Sequence, residues 1–332
     1  MNPTILPSLI ERFFTQRLMQ QRNVSPNTIA SYRDTFRLLL RFASKKLGRP
    51  PSRLNLTDLD ARLIASFLEH LETERSIGAR SRNLRLTSIR TFFRFVAFEE
   101  PAYSMQIQRV LAIPPKRVAR REVEFLSRAE IEAILAVPNK ATWAGRRDYT
   151  LLLVAVQTGL RLSEIAGLDR DAVQLGVGAH IRCFGKGRKE RSTPLTKLAR
   201  EAVKKWLTEP AHNGATALFP TIHGDRMSAD AVQFMLSKYV NVAAETYRSL
   251  RSKHVSPLTL RHSAAMELLL AGVDLAVIAL WLGHESIQTT QTYLHAHLAL
   301  KEAALAKVTT MEGQKGMRFK PGDKLLAFLN AL

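Results

Sequence analysis

The chain has 332 residues, 46% of them hydrophobic and 23% charged, which is enough for a substantial core and for two domains. Its 49 lysines and arginines exceed its 29 acidic residues and give a formal net charge of +20, which favours nucleic acid as partner over an anionic membrane surface or solubility alone. The single cysteine, Cys183, excludes an intrachain disulfide and a cysteine-based zinc site. Apolar runs of membrane-spanning length and a signal pattern are both missing, so we expect a cytoplasmic protein without membrane contact.

Residues 1–105 are predicted to form a helical domain. Ser25-Pro26 is a favourable cap and first turn for a helix that Gly48–Pro51 breaks. Thr57–Asp60 caps a second helix that runs to about residue 75, and a third long helix follows Ser76–Gly78. Apolar residues recur at helical spacing in each of these segments.

The third of these helices is rich in arginine and has no acidic residue between residues 76 and 98. An arginine-rich helix face often only contacts solvent. In such a face, however, acidic residues normally alternate with the arginines, and this helix lacks them. Residues 1–122 hold 22 basic and 10 acidic residues, so this part of the chain has +12 of the net charge. We therefore expect phosphate contacts, which make up most protein–DNA hydrogen bonds. The candidates on this helix are Arg80, Arg82, Arg85, Arg90 and Arg94.

Residues 106–122 are predicted to form a basic linker between two domains. Pro114-Pro115 stops regular structure, and Arg117, Arg120 and Arg121 follow it. An extended basic strap of this kind suits a path along a phosphate backbone.

A second domain is predicted over residues 123–310. Ser127–Glu130 has the spacing of a capping box at a helix start, and residues 148–157 form an apolar helix that ends at Thr158-Gly159. Residues 179–195 alternate and turn, which predicts a short β-hairpin or a three-stranded sheet. The part from residue 197 to about residue 309 is predicted to be helical, apart from a loop around residues 220–225.

Five short motifs follow one another in this second domain. They are Thr158–Arg161, Gly185–Gly187 within the run to Arg191, Thr259–His262, Trp281–His284 and Thr289–Tyr293. Each alone has an ordinary structural explanation, such as a helix start, a surface hairpin, a helix-ending glycine or a half-buried tyrosine. All five motifs occur together, in this order, on a strongly basic chain, so chance is a poor explanation for their joint occurrence.

The residue types in these motifs suit the cleavage of a DNA phosphodiester without a metal. A guanidinium presents a planar fork to two phosphate oxygens and keeps its charge. A lysine among other cations can serve as a general acid, and a histidine can exchange a proton near neutral pH. Arg161 precedes a helix start, where a loop and a helix N-terminus both favour an anion. The reaction also needs an oxygen nucleophile, and a tyrosine hydroxyl is a group of that kind.

In these motifs the chain resembles the tyrosine recombinases, also called the phage integrase family, and particularly the Xer-like branch. The resemblance implies a mainly α fold with a small β-sheet, in which a helical core-binding domain precedes an α+β catalytic domain. It implies that Arg161 and Arg261 clamp the scissile phosphate, that Lys186 protonates the leaving 5′-hydroxyl, and that His284 binds the phosphate. Tyr293 would attack to form a 3′-phosphotyrosyl bond.

The same resemblance implies a site-specific recombinase or integrase of a mobile element or chromosome, acting on double-stranded DNA with inverted half-sites. Arg188 and Lys189 join the expected DNA-binding residues. A tetramer on DNA is expected, with the apolar helix 325–332 of the tail 311–332 docking on a neighbouring protomer. We expect no cofactor and no metal, because the sequence has neither a phosphate-binding glycine motif nor an obvious carboxylate cluster for magnesium.

Leu258 departs from the pattern, because the family usually has a histidine three residues before the second arginine. Leucine can neither accept a proton nor bind a phosphate oxygen. Three interpretations remain: a slower enzyme with four basic groups, replacement by His254 or His262, or a copy that binds DNA with impaired catalysis. His262 directly follows Arg261 and points to a different side of the helix, which favours a structural role for it.

A non-catalytic DNA-binding protein of the same fold is therefore the alternative function. The retention of Tyr293 argues against it, because a protein that only binds DNA has no need of the nucleophile. A type IB topoisomerase shares the chemistry, but the arginine-rich helical first domain fits a recombinase better. The target DNA sequence is not written in the chain, because phosphate contacts are blind to sequence.

Overall fold

The computed structural model describes residues 6–118, 123–185, 190–210 and 214–293. The chain divides into two compact units between residues 120 and 121. Helices dominate both units, and a small three-stranded sheet lies in the second, so the expected mainly helical fold class is confirmed.

The described part of the first unit is mainly helical up to Leu111, with short 3₁₀ turns between its helices. Its helices are α1 (Leu6–Arg12), which continues as the π-helical segment Phe13–Gln21, α2 (Pro26–Leu47), α3 (Ala61–Thr73), α4 (Ala79–Glu99) and α5 (Ser104–Leu111).

The predicted helix boundaries in this unit coincide with local capping groups. The hydroxyl of Ser25 accepts a hydrogen bond from the backbone N–H of Thr28 at the start of α2. Gly48 ends α2 with a φ of +66°, a left-handed conformation that favours glycine. Asp60 caps α3 by accepting from the N–H of Leu63 at 2.7 Å. Side-chain capping is a local interaction, which is why the sequence predicts these positions.

Aromatic rings form the centre of the first core. Phe92 of α4 lies edge-on to Phe13 and Phe36, with ring centroids 5.4 and 5.1 Å apart. These three side chains are at most 3% exposed and join the π-helical segment, α2 and α4. Edge-to-face packing of this kind adds to the free energy that burial itself supplies.

The predicted linker 106–122 contains regular structure in its first part. Helix α5 extends to Leu111 and buries Ile107 and Val110 in the first core. The sequence prediction placed the linker too early, because this apolar pair spans only one helical turn and gives a weak periodic signal.

The segment after α5 is fastened along α4. The amide of Asn83 donates to the carbonyl of Lys116 at 2.8 Å, and its oxygen accepts from the N–H of the same residue at 3.0 Å. The guanidinium of Arg82 donates to the carbonyl of Pro114 at 3.1 Å. Part of the segment expected to lie on DNA is therefore bound by the first unit.

The second unit surrounds its own apolar core with helices and the sheet. Its helices are α6 (Arg128–Ala136), α7 (Trp143–Thr158), α8 (Leu162–Ala166), α9 (Lys197–Leu207), α10 (Ala229–Thr246), α11 (Pro257–Leu270), α12 (Leu275–Leu282) and α13 (Ile287–Thr290), and the 3₁₀ turn Gln291–Tyr293 follows.

The predicted capping box at the start of α6 is present. The hydroxyl of Ser127 accepts from the N–H of Glu130, and the carboxylate of Glu130 accepts from the N–H of Ser127 at 2.7 Å. The same carboxylate accepts from the ammonium of Lys253 at 2.7 Å, which joins α6 to the segment before α11.

The sheet consists of three antiparallel strands in sequence order. They are β1 (Val173–Gln174), β2 (His180–Phe184) and β3 (Glu190–Pro194), and Cys183 of β2 lies opposite Arg191 of β3. The predicted hairpin at 179–195 is thus present as β2 and β3. The remaining strand, β1, precedes the predicted range and is only two residues long, which is too short to show an alternating pattern.

The region from residue 197 is helical over much of its described length, but its irregular part is longer than expected. Between α9 and α10, Ala217 forms an isolated backbone bridge with Asp169, and Pro220 forms one with Arg226. We predicted a loop only at residues 220–225. The predicted tail 311–332, with its helix 325–332, lies outside the described residues. Within the described part, none of the helices has the length and apolarity needed to cross a membrane.

The aromatic core of the first unit gives a stability prediction. Phe92→Ala removes a fully buried ring and should lower the free energy of unfolding by about 3–5 kcal/mol. Phe98→Ala is the matched control, because Phe98 lies on the same helix and is 83% exposed, and it should change stability by less than about 0.5 kcal/mol. Urea unfolding of the full chain measures both, and equal effects would show that α4 does not hold this core.

Candidate active site

Arg261 is buried and joins the ends of two helices. It lies on α11, is 4% exposed, and donates to the carbonyls of Gly159 and Leu282 at 2.6 Å each. These residues lie at the carbonyl ends of α7 and α12, which carry partial negative charge. Burial, together with the charge of Arg161, lowers the pKa of Arg261 to about 10, so the guanidinium stays charged at neutral pH.

Two glycines at these helix ends allow neighbouring side chains to come close to the main chain. Gly159 and Gly283 both have a φ of +63°, which side chains rarely adopt. A Cβ at Gly159 would lie 2.6 Å from Cδ2 of Leu282, and one at Gly283 would lie 2.9 Å from Nη1 of Arg191. The main chain therefore approaches the arginines at points where only glycine fits.

Arg161 and Arg261 bind neighbouring main-chain carbonyls, which places the two side chains close together. Arg161 donates to the carbonyl of Gly283 at 2.9 Å, one residue after the carbonyl that Arg261 binds. Its side chain is 33% exposed, so it is the more accessible of the two guanidinium groups. The predicted pair of arginines is thus brought together at the end of α12.

Glu164 orients Arg161 and also binds a second arginine, Arg191 of β3. Its carboxylate accepts from Nη1 of Arg161 at 2.9 Å and from both terminal nitrogens of Arg191 at 2.9 and 2.7 Å. Burial raises the pKa of Glu164, but hydrogen bonds from Arg191 and Arg161 outweigh it, and the net pKa lies below its ordinary value. Neither Glu164, three residues after the first motif, nor Arg191, at the end of the run that follows Gly185, was among the predicted site residues.

His284 is oriented by a buried threonine. Its Nδ1 lies 2.8 Å from the hydroxyl of Thr290, whose side chain is fully buried. Burial lowers the pKa of His284 to about 4, and the charges of Arg261 and Arg161 act in the same direction. The imidazole is therefore neutral at neutral pH and can donate one hydrogen bond.

Tyr293 lies in the same cluster, where its ring is 3% exposed among apolar residues of α11 and α12. Its ring centroid is 6.4 Å from that of His284, and its hydroxyl lies 3.0 Å from Nδ1 of His262. Burial raises the pKa of Tyr293, although Arg261 and Arg161 oppose the shift. The phenol is therefore protonated at neutral pH.

The departure at Leu258 leaves an apolar side chain, 58% exposed, at the second position of α11. His254 is exposed before this helix, and its carbonyl accepts from the hydroxyl of Thr259. His262 does point to a different side from Arg261, as the sequence suggests, but Tyr293 occupies that side.

Lys186, Arg188 and Lys189 lie outside the described residues, in the connection between β2 and β3. Arg120 and Arg121 of the predicted linker also lie outside them. Groups of three or more potential metal-binding side chains do not occur in the part of the chain that the structure describes.

The predicted DNA-binding arginines of α4 fall into two groups. Arg80 and Arg94 are exposed and Arg85 is half-buried. Arg82 is 8% exposed, and Arg90 donates to the carbonyl of Ile113. Arg82 and Arg90 thus hold the segment after α5, which the sequence does not reveal because that contact joins distant parts of the unit. Arg117 is exposed beyond that segment.

Two family models match the chain and together span most of it. The description "Phage integrase family" matches residues 124–299, and "Phage integrase, N-terminal SAM-like domain" matches residues 10–100. The chain belongs to the phage integrase family. Its relatives in this family include proteins named as tyrosine recombinases.

Curated relatives of this phage integrase family protein match it over most of their length. An integrase/recombinase of Sinorhizobium fredii, y4rC, is 58% identical over 327 residues, which are 98% of each chain. The tyrosine recombinase XerC of Pelobacter propionicus is 32% identical over 86% of this chain and 90% of its own.

A solved structure of the recombinase XerH, bound to a palindromic difH substrate after cleavage, has the same fold. It superposes with a TM-score of 0.71 at 22% identity and covers 86% of this chain and 81% of its own. This likeness supports the two-part helical architecture of the integrase family protein.

The charge of Glu164 gives a second prediction. Its pKa in the folded chain lies below the ordinary 4.5, so its ionised form stabilises the fold above that pH, and the effect is lost as pH falls through the lowered value. Glu164→Gln leaves Arg191 without its carboxylate and should cost about 3 kcal/mol at pH 7. The difference from the unaltered chain should shrink as the pH falls below 4.5.

Urea unfolding across this pH range measures the effect. Glu201→Gln is the matched control, because Glu201 forms an exposed ion pair with Arg200 and should leave unfolding unchanged. A Glu164→Gln deficit that is constant with pH would exclude the charge as its cause.

Proposed function

We propose that this family member cleaves and rejoins DNA at specific sites through a covalent bond between Tyr293 and a 3′-phosphate. The observation that supports this most is the convergence of Arg161, Arg261, His284 and Tyr293 at the end of α12. A protein that only binds DNA would gain nothing from burying a tyrosine hydroxyl in the positive field of two guanidinium groups.

The roles of these residues follow from their chemistry. Arg161 and Arg261 donate to the non-bridging oxygens of the scissile phosphate and stabilise the charge that develops there. Arg261 donates to two carbonyls, and Arg161 donates to one carbonyl and to the carboxylate of Glu164, so each has further N–H donors for the phosphate. His284, neutral and fixed by Thr290, donates a further hydrogen bond.

The covalent step conserves the energy of the phosphodiester. The oxygen of Tyr293 bonds to phosphorus as the bond to the 5′-oxygen breaks, and Lys186, by its place in the family pattern, protonates the leaving oxygen. The reverse attack by a 5′-hydroxyl rejoins the strand, so the transfer needs neither ATP nor a metal.

Binding to double-stranded DNA with inverted half-sites is part of the proposal, as is action by a tetramer on two duplexes. The exposed Arg80, Arg94 and Arg117 supply charge for the phosphate backbone. The apolar pattern of residues 325–332 suits a contact between protomers.

The nucleophile can be tested with a DNA site mapped by footprinting the DNA that flanks the gene. A nick near the cleavage point lets the cleaved end diffuse away, so the covalent adduct accumulates. The unaltered chain should form a protein–DNA adduct, and Tyr293→Phe should form none at equal DNA affinity. Tyr247→Phe, which alters an exposed tyrosine after α10, should form the adduct normally. Saturated binding without any adduct from the unaltered chain would favour the non-catalytic alternative.

The phosphate contacts of α4 give another prediction. Arg80→Ala and Arg94→Ala should each weaken DNA binding, specific or not, and lower the slope of log affinity against log salt by about 1. Arg128→Ala serves as the charge control, because Arg128 is paired with Glu132 on α6 of the other unit. Fluorescence anisotropy over a salt series measures the slope. Equal slopes in all variants would show that these arginines of α4 do not contact DNA phosphates.

A further inference from the structure

We infer that His262 accepts the phenol proton of Tyr293 during strand cleavage, in place of the histidine that this chain lacks at Leu258. The inference rests on the proposed function and assigns one proton transfer within it. It also explains how a site without the usual histidine can still activate its nucleophile.

The geometry of the pair suits a proton transfer. Nδ1 of His262 lies 3.0 Å from the hydroxyl oxygen of Tyr293, and the rings meet edge to face with centroids 5.5 Å apart. In the neutral tautomer with its proton on Nε2, Nδ1 has a free lone pair and the phenol donates to it. A base within 2.6–3.2 Å of the proton it removes meets the distance requirement for general base catalysis.

The position of His262 on α11 makes it a natural substitute. Residues 258 and 262 are four apart, so they lie on the same helix face about 6 Å apart along the axis. Leu258 is 58% exposed near the start of the helix, whereas His262 is half-buried against Tyr293. The imidazole is thus one turn further along the same face.

The other histidines near this site have different partners. His284 uses its Nδ1 on the hydroxyl of Thr290, and its ring stacks 6.4 Å from that of Tyr293. His254 lies before α11, where its backbone N–H donates to Glu124 and its carbonyl accepts from Thr259. Among the histidines that the structure describes, His262 is the one hydrogen-bonded to the phenol.

The charge states keep the nucleophile idle until DNA is bound. Burial lowers the pKa of His262 to about 4, with Arg261 acting in the same direction, while burial raises the pKa of Tyr293. The proton therefore stays on the phenol in the free protein. A bound phosphodiester brings negative charge, which raises the imidazole pKa, and bond formation to phosphorus makes the phenol oxygen acidic.

The step balances in atoms and charge. The oxygen of Tyr293 forms a bond to phosphorus, and its proton moves to Nδ1 of His262, which becomes an imidazolium. The bond from phosphorus to the 5′-oxygen breaks, and that oxygen takes a proton from Lys186. The products are a 3′-phosphotyrosyl link and a free 5′-hydroxyl, and the reverse transfers restore both side chains on rejoining.

His262→Asn separates proton acceptance from mere positioning. An asparagine side-chain oxygen can still accept a hydrogen bond from Tyr293 but is not a base. We expect the adduct to form about 10²-fold more slowly or worse on the nicked substrate, at unchanged DNA affinity. An unchanged or faster rate would overturn the assignment, since it would mean that His262 only orients or restrains the phenol. Matched near-ultraviolet circular dichroism and urea unfolding establish that the variant folds.

A substrate with sulfur in place of the scissile 5′-oxygen identifies the side of the reaction on which His262 acts. A thiolate leaves without protonation, so this substrate should restore cleavage by Lys186→Ala. The defect of His262→Asn should persist, because the phenol still has to lose its proton. Recovery of His262→Asn to the unaltered rate would place His262 on the leaving-group side and refute the inference. An adduct from the unaltered chain keeps these outcomes distinct from a failure of the proposed function.

Discussion

The buried hydrogen bonds of Arg261 are the interaction on which the candidate site depends. A guanidinium that is 4% exposed loses its hydration, and that loss is tolerated only if its N–H groups find acceptors. The carbonyls of Gly159 and Leu282 provide them, and both lie at helix ends whose carbonyls lack helical partners. One side chain of α11 therefore fixes the ends of α7 and α12 together, and the rest of the site is built around that junction.

Around this junction the site combines positively charged arginines with histidines that are neutral. Glu164 compensates Arg161 and Arg191 from within the protein. Burial, reinforced by the same positive field, lowers the pKa of both His262 and His284 and keeps them neutral. Fixed donors that need no rearrangement when a phosphate arrives lower the barrier to its displacement, since little reorganisation remains to be done in the transition state.

Local chemistry is the part of this protein that the sequence predicts well. The capping groups Ser25, Asp60 and Ser127 mark helix starts through contacts within three residues. The partners of Arg82 and His262 were missed, because each contact joins segments more than 30 residues apart. The spacing of residue 262 from Leu258 was visible, but the position of Tyr293 against that face is a tertiary fact.

The use of main-chain carbonyls as anchors has a consequence for which substitutions the site tolerates. Because the arginines hold the carbonyls of residues 282 and 283, another apolar side chain in place of the buried Leu282 would leave the acceptor where it is. The backbone conformation, in contrast, cannot vary. For exchanges among apolar side chains, mutational sensitivity in this region should therefore follow φ, with Gly159 and Gly283 less replaceable than their apolar neighbours.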